Sequence, residues 1–221
     1  MEDSQLIAHR LAISGISGRT GHELARVACT KGWEVYGLVR PTSEGEGAII
    51  HGRIVRGHFE DFDRVVETVA DSQAVCCLIG PRPPYTDVFC VKATTAIIAA
   101  MKQTGCTRLV CQTGAMIGPA PNRSHPMEWM ARTFARWHPA AIRDREEQEC
   151  LVESSGLDWT IVKPPRLTDS APRGRVQAGP YLRVGLLSRI SRADLAAFIL
   201  DEIQTGRFVR QRIFVKGYRF T

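Results

Sequence analysis

RLAISGISGRTGHELARVACTKGWEVYGLVR, residues 10–40, decides the fold. It opens on a β-branched apolar run, breaks at Gly15, and resumes as an amphipathic stretch over 20–32 with Leu24, Val27 and Ala28 at helical spacing. A second apolar run, 34–40, ends on Arg40. Strand, glycine turn, helix and strand follow one another within 31 residues. Gly15, Gly18 and Gly21 form G-x-x-G-x-x-G at the strand-to-helix junction. Gly15 allows the tight turn, Gly18 lets backbone N–H groups approach a ligand, and Gly21 lets the helix lie close to the sheet. A helix start of this kind, with its unpaired N–H groups and positive dipole end, holds a diphosphate. Ser17, Arg19 and Thr20 add hydroxyl and guanidinium donors. This setting makes the loop a dinucleotide cradle. In such a fold the end of the second strand lies beside the adenosine ribose. An acid there would bond the 2′-hydroxyl of NAD, whereas Arg40 suits the 2′-phosphate of NADP(H).

The alternation continues outward. Apolar runs at 52–57, 74–80, 107–115, 158–166 and 211–217 read as strands. Helices are expected near 62–70, over 86–105 with a stripe of Val88, Val91, Thr95, Ile98 and Met101, over 141–156 with Ile142, Cys150 and Leu151 inward, and over 191–206. Ser191 is the expected N-cap of the last helix, with Asp194 three residues on. Residues 116–140 read as a long loop with a short helix near 127–136, and 167–185 as a second loop; both are expected to cover a substrate. Parallel strands joined by helical crossovers give an α/β fold, a Rossmann-like doubly wound parallel sheet, here one domain over 1–221.

Composition narrows the function. The 221 residues are 44% hydrophobic and 24% charged, which supports a real core. The net charge of +6 comes from scattered arginines and suits a small anionic molecule better than nucleic acid, for which no basic helix or aromatic-interleaved basic strand is present. The seven cysteines show no C-x-x-C and no metal-ligand spacing; Cys76, Cys77 and Cys111 read as core thiols. The first ten residues lack the layout of a secretion signal, and no apolar run spans a bilayer, so a cytoplasmic chain with no metal and no membrane partner, monomeric or a small homo-oligomer, is expected.

The order GISGRTG (15–21), GLVR (37–40), LIGPR (78–82), AAMKQTGCTRLVCQTGA (99–115), SGLDWTIVKPPRL (155–167) and ISRADLAAFIL (190–200) resembles the atypical short-chain dehydrogenase/reductases with an NmrA-like NAD(P)-binding fold, in the branch of NADPH-dependent flavin reductase and biliverdin-IXβ reductase. It extends over roughly residues 8–203. The resemblance implies that Gly15, Ser17, Gly18, Arg19, Thr20 and Gly21 hold the pyrophosphate and Arg40 the 2′-phosphate. His58 and Phe59 fall at the adenine, where relatives carry an aspartate. Gly80 and Arg82 fall beside the cofactor and the site mouth, Thr113 and Gly114 near the nicotinamide, and Pro164, Pro165 and Arg166 over its ribose and the substrate.

Two departures bear on chemistry. The proton-donating tyrosine and its lysine, a Y-x-x-x-K pair in ordinary short-chain dehydrogenases, correspond to Ala141 and Arg145, and residues 110–165 contain no tyrosine. The family's serine position holds Gly114. A simple ketone is therefore a poor substrate, whereas a conjugated acceptor (flavin, quinone or polyketide-like aromatic) needs little protein acid because its charge delocalises. Arg166, fixed by the double proline, and Thr113 are the candidate catalytic residues. Arg82, His125 and Arg166 are the candidate substrate contacts, while Glu146, Glu147 and Glu149 read as a charged helix face. The residues point to an NADPH-dependent oxidoreductase. The alternatives are a non-redox cyclase or isomerase that keeps the nucleotide as scaffold, and a redox-sensing regulator of NmrA type.

Overall fold

Residues 9–41 and 51–218 are described by the computed structural model; Thr42 to Glu44, which follow the arginine-bearing strand end, lie outside them. In chain order the elements are β1 (Arg10–Ser14), α1 (Arg19–Thr30), β2 (Glu34–Val39), β3 (Gly52–Arg56), α2 (Phe62–Val69), β4 (Ala74–Cys77), α3 (Cys90–Thr104) and β5 (Arg108–Gln112). They continue with α4 (His125–Trp137), α5 (Pro139–Glu153), β6 (Asp158–Lys163), β7 (Arg166–Thr168), β8 (Val176–Gly179), β9 (Arg189–Ser191), α6 (Arg192–Thr205) and β10 (Gln211–Gly217).

Eight strands form one sheet in the order β3-β2-β1-β4-β5-β6-β10-β8, all parallel except the edge strand β8, which runs antiparallel to β10. Strand alternation sends successive side chains to opposite faces, and both faces are covered. Leu11, Ile13, Cys76, Val110 and Val162 pack beneath α1 and α6, against Leu24, Ala28, Leu195 and Ile199. Ala12, Val75, Cys77, Leu109, Cys111 and Ile161 face the other way, against Val65, Ile97, Met101 and Val152 of α2, α3 and α5. That is why these strands read as continuous apolar runs.

Four expectations are corrected. Helix α3 starts at Cys90 rather than 86. No side chain of its own caps it, and the cap comes from α5, where the Asp144 carboxylate accepts from the N–H groups of Cys90 (2.8 Å) and Val91 (3.0 Å). Its buried stripe is accordingly Cys90, Ala93, Thr94, Ile97 and Met101, and Val88 is exposed. Within 116–140 the expected short helix is present as α4, extended to His125 and Trp137 and followed at once by α5. Pro126 sits in the first turn of α4 and Pro139 at the start of α5, where a missing N–H costs nothing. The 167–185 segment carries β7 and β8. Within α5, Cys150 is exposed and Glu149 is buried, the reverse of what its apolar spacing suggests. Helix α6 is capped as expected, with Ser191 Oγ accepting from Asp194 N–H at 3.0 Å.

Candidate functional site

The strand order reverses between β1 and β4, which opens a crevice at the carboxyl ends of the strands. The cleft there has a volume of about 1750 Å³. It collects every expected cofactor residue: the 15–21 loop apart from Ile16, Arg40, His58, Phe59, Gly80, Arg82, Thr113, Gly114, Pro164 and Pro165. Arg166 lines it as well, while His125 does not; that histidine is exposed at the first position of α4.

The loop's geometry separates its three glycines. Gly15 has φ +90°, and a Cβ there would lie 2.9 Å from the Leu78 carbonyl. A Cβ on Gly21 would lie 2.2 Å from the Gly15 oxygen. Both positions are closed to any side chain. Gly18 is looser, and its own N–H is spent on the Gly15 carbonyl (3.0 Å), so it does not itself offer a donor. The first helical bond is His22 N–H to Gly18 carbonyl (2.8 Å), which leaves the earlier N–H groups of α1 without an intrahelical partner. Neither a capping side chain nor an acid in the first turn competes for them. This cradle fits a diphosphate. Arg19 is less available than expected, because its guanidinium sits 2.8 Å from Asp169, which also accepts from Arg192. Among the described residues nothing pairs with the Arg40 guanidinium, which is exposed at the cleft wall. Phe59 also packs against the core beneath.

Across the cleft the floor is built from charged side chains. Helix α5 turns Ala141, Arg145, Gln148, Glu149 and Val152 toward the sheet, one stripe at helical spacing. Arg145 reaches the strand ends and donates to the carbonyls of Ile79 and Gln112, each at 2.7 Å, and to Gln148 Oε1 at 2.6 Å. It stands in the lysine place but ties β4 to β5. Glu149 accepts from Lys163 Nζ (2.7 and 2.8 Å) and from Thr113 Oγ1 (2.6 Å), and Arg212 approaches to 3.3 Å. Lys163 also donates to the Ile117 carbonyl at 2.8 Å. Lys163 and Glu149 are each 1% exposed. Burial pushes the Lys163 ammonium pKa down, against the pull of Glu149. The Thr113 hydroxyl proton is committed to Glu149, so toward a ligand Thr113 can accept but has no proton to give.

Lys163 was not singled out by sequence, and Glu149 was read as surface. The available signals were a lysine inside an apolar strand and a polar stripe on α5 where an apolar one belongs. Above this floor Tyr85, Met116, Met127, Met130 and Phe134 form an apolar wall. Gly114 leaves room, the nearest atom to a Cβ there being Ile117 Cγ1 at 3.8 Å. Arg82 and Arg166 are exposed on the rim, and no hydrogen bond or ion pair holds either side chain among the described residues.

Residues 15–205 match the NAD(P)H-binding family, and the chain belongs to it. The Bacillus subtilis protein YwnB is 26% identical over 223 residues, covering 93% of this chain and 97% of its own. Among solved structures, a short-chain dehydrogenase/reductase from Veillonella parvula in complex with NADP superposes with TM-score 0.77 at 16% identity, covering 94% of each chain. The anaerobilin reductase ChuY of Escherichia coli O157:H7 superposes with TM-score 0.74 at 17% identity, covering 96% of this chain and 98% of its own. The doubly wound fold and the NAD(P)H-binding family expected from the sequence are thereby met. Among the described residues no helix is long and apolar enough to cross a membrane.

Proposed function

We propose that this protein is an NADPH-dependent oxidoreductase acting on a flat, conjugated acceptor such as a flavin, a quinone or a polyketide-like aromatic. One observation carries the reading: a dinucleotide cradle with Arg40 at its far end runs directly into an apolar wall, and the floor between them holds no tyrosine–lysine pair. The uncapped first turn of α1 would hold the pyrophosphate, and the Arg40 guanidinium would select the 2′-phosphate. Pro164 and Pro165 would flank the nicotinamide end. Bound there, the cofactor supplies a hydride.

What the chain's own residues can and cannot do then selects the acceptor. A simple ketone develops a localised alkoxide that needs an acid beside it. On the floor, Ala141 has no acid and the Thr113 proton is held by Glu149. A conjugated ring spreads the incoming charge, and the rim guanidiniums of Arg82 and Arg166 can stabilise the remainder. The Met116, Met127, Met130 and Phe134 wall suits a flat apolar body. Likeness to an anaerobilin reductase agrees with a large conjugated acceptor.

The test is NADPH binding by fluorescence, followed by loss of NADPH absorbance with FMN and a panel of quinones. Oxidation above the enzyme-free rate is the expected result. Binding without oxidation across the panel would remove the reductase reading and favour a non-redox enzyme or a sensor.

A further inference from the structure

Resting on that oxidoreductase reading, we propose that Tyr85, on the loop between β4 and α3, donates a proton to the heteroatom of the conjugated acceptor that lies away from the atom taking the hydride, a partner that a simple ketone lacks. The chain has four tyrosines, at 36, 85, 181 and 218, and Tyr85 alone lines the cleft. Its backbone has φ +64°, a left-handed conformation unfavourable for a bulky residue and held only where the surroundings enforce it. Two features enforce it here. Tyr85 N–H closes a turn onto the Arg82 carbonyl at 2.7 Å. The ring stands edge-on to Phe134 (5.2 Å between centroids, 84°) and to His138 (5.0 Å, 61°), which in turn lie 4.7 Å from each other.

This three-ring cluster fixes the phenol relative to α5. His138 immediately precedes that helix, and Ala141 follows three residues later, about one turn or roughly 5 Å along the axis. Tyr85 is thus held at the α4–α5 junction, on the cleft that Ala141 also lines. Among the described residues no group hydrogen-bonds its hydroxyl. The contrast with Thr113, whose proton is engaged by Glu149, leaves the Tyr85 hydroxyl as the transferable one. The titratable or charged groups around it are His138 from the α4–α5 junction and Arg82 and Asp87 on its own loop.

In the step, the acceptor gains two electrons with the hydride. The Tyr85 O–H bond breaks as a new O–H or N–H bond forms on the reduced acceptor, and water returns the proton to the phenolate.

Tyr85→Phe keeps the ring and its packing and removes only the hydroxyl. With menadione as acceptor, kcat is expected to fall about tenfold, below the range for a general acid at a localised alkoxide because the ring spreads the charge, while NADPH affinity stays at the wild-type value and reports an intact fold. Independently of turnover, menadione binding read by tryptophan quenching should weaken about threefold to tenfold, the worth of one hydrogen bond. Wild-type turnover with an unaltered variant would overturn this role and leave the oxidoreductase reading standing. Absence of wild-type turnover with FMN and every quinone of the panel would overturn both.

Discussion

The two sides of the cleft are built on different terms. On the β1–α1 side the cleft is shaped by backbone: a positive-φ glycine, a second glycine against which nothing larger fits, and the uncapped first turn of a helix. On the β5–β6 side it rests on side chains that meet only in three dimensions. Thr113, Glu149, Lys163 and Arg212 come from β5, α5, β6 and β10. A backbone device is local and constrains residue types at fixed spacing. A side-chain network needs only that its members arrive together, and it is free to change its chemistry while the fold stays the same.

The largest effect that would break this comparison lies on the side-chain half. Lys163→Met leaves Glu149 buried with only Arg212 and Thr113 beside it, and should destabilise the protein by about 3–5 kcal/mol. The measurement is urea unfolding, and adding Glu149→Gln to the variant should recover much of the loss. If Lys163→Met is neutral, the network does not hold the floor.

This is also where sequence reading stopped short. The cradle was legible because strand, glycine spacing and helix lie within one short stretch, and Arg40 ends it. The sheet was legible because strands buried on both faces are apolar throughout. The start of α3 was not, because its cap is Asp144, more than fifty residues away. Glu149 looked like its neighbours Glu146 and Glu147 until Lys163 and Thr113 were brought against it. Tyr85 lay in a proline-rich loop whose path, set by packing on α4, has no periodic signal.

On the backbone half, Gly21→Ala places a methyl at 2.2 Å from the Gly15 carbonyl oxygen and should cost about 3 kcal/mol, read as a lower unfolding midpoint. Gly18→Ala sharpens the contrast: its Cβ would lie 3.1 Å from the same oxygen, a tight contact that a shift of a few tenths of an ångström relieves, so it should cost less stability than Gly21→Ala while NADPH affinity drops. Equal destabilisation by both would contradict the division between a packing glycine and a ligand-facing one.

Arg40→Ala should weaken NADPH roughly tenfold, about 1.4 kcal/mol, the low end for a charge-assisted contact. NADH affinity should not move, and titration calorimetry with both nucleotides decides it. The smallest effect is expected away from the cleft: Ser191→Ala removes the α6 cap and should cost about 1 kcal/mol without changing nucleotide affinity.

The central claim, that the cradle delivers reducing equivalents only to conjugated acceptors, is tested most directly by an anaerobic assay of one preparation against menadione and against cyclohexanone, with NADPH loss and reduced product both quantified. Stoichiometric NADPH loss with menadione and none with the ketone is the predicted result. Reduction of the ketone at a comparable rate, or tight NADPH binding with neither acceptor reduced, would contradict it.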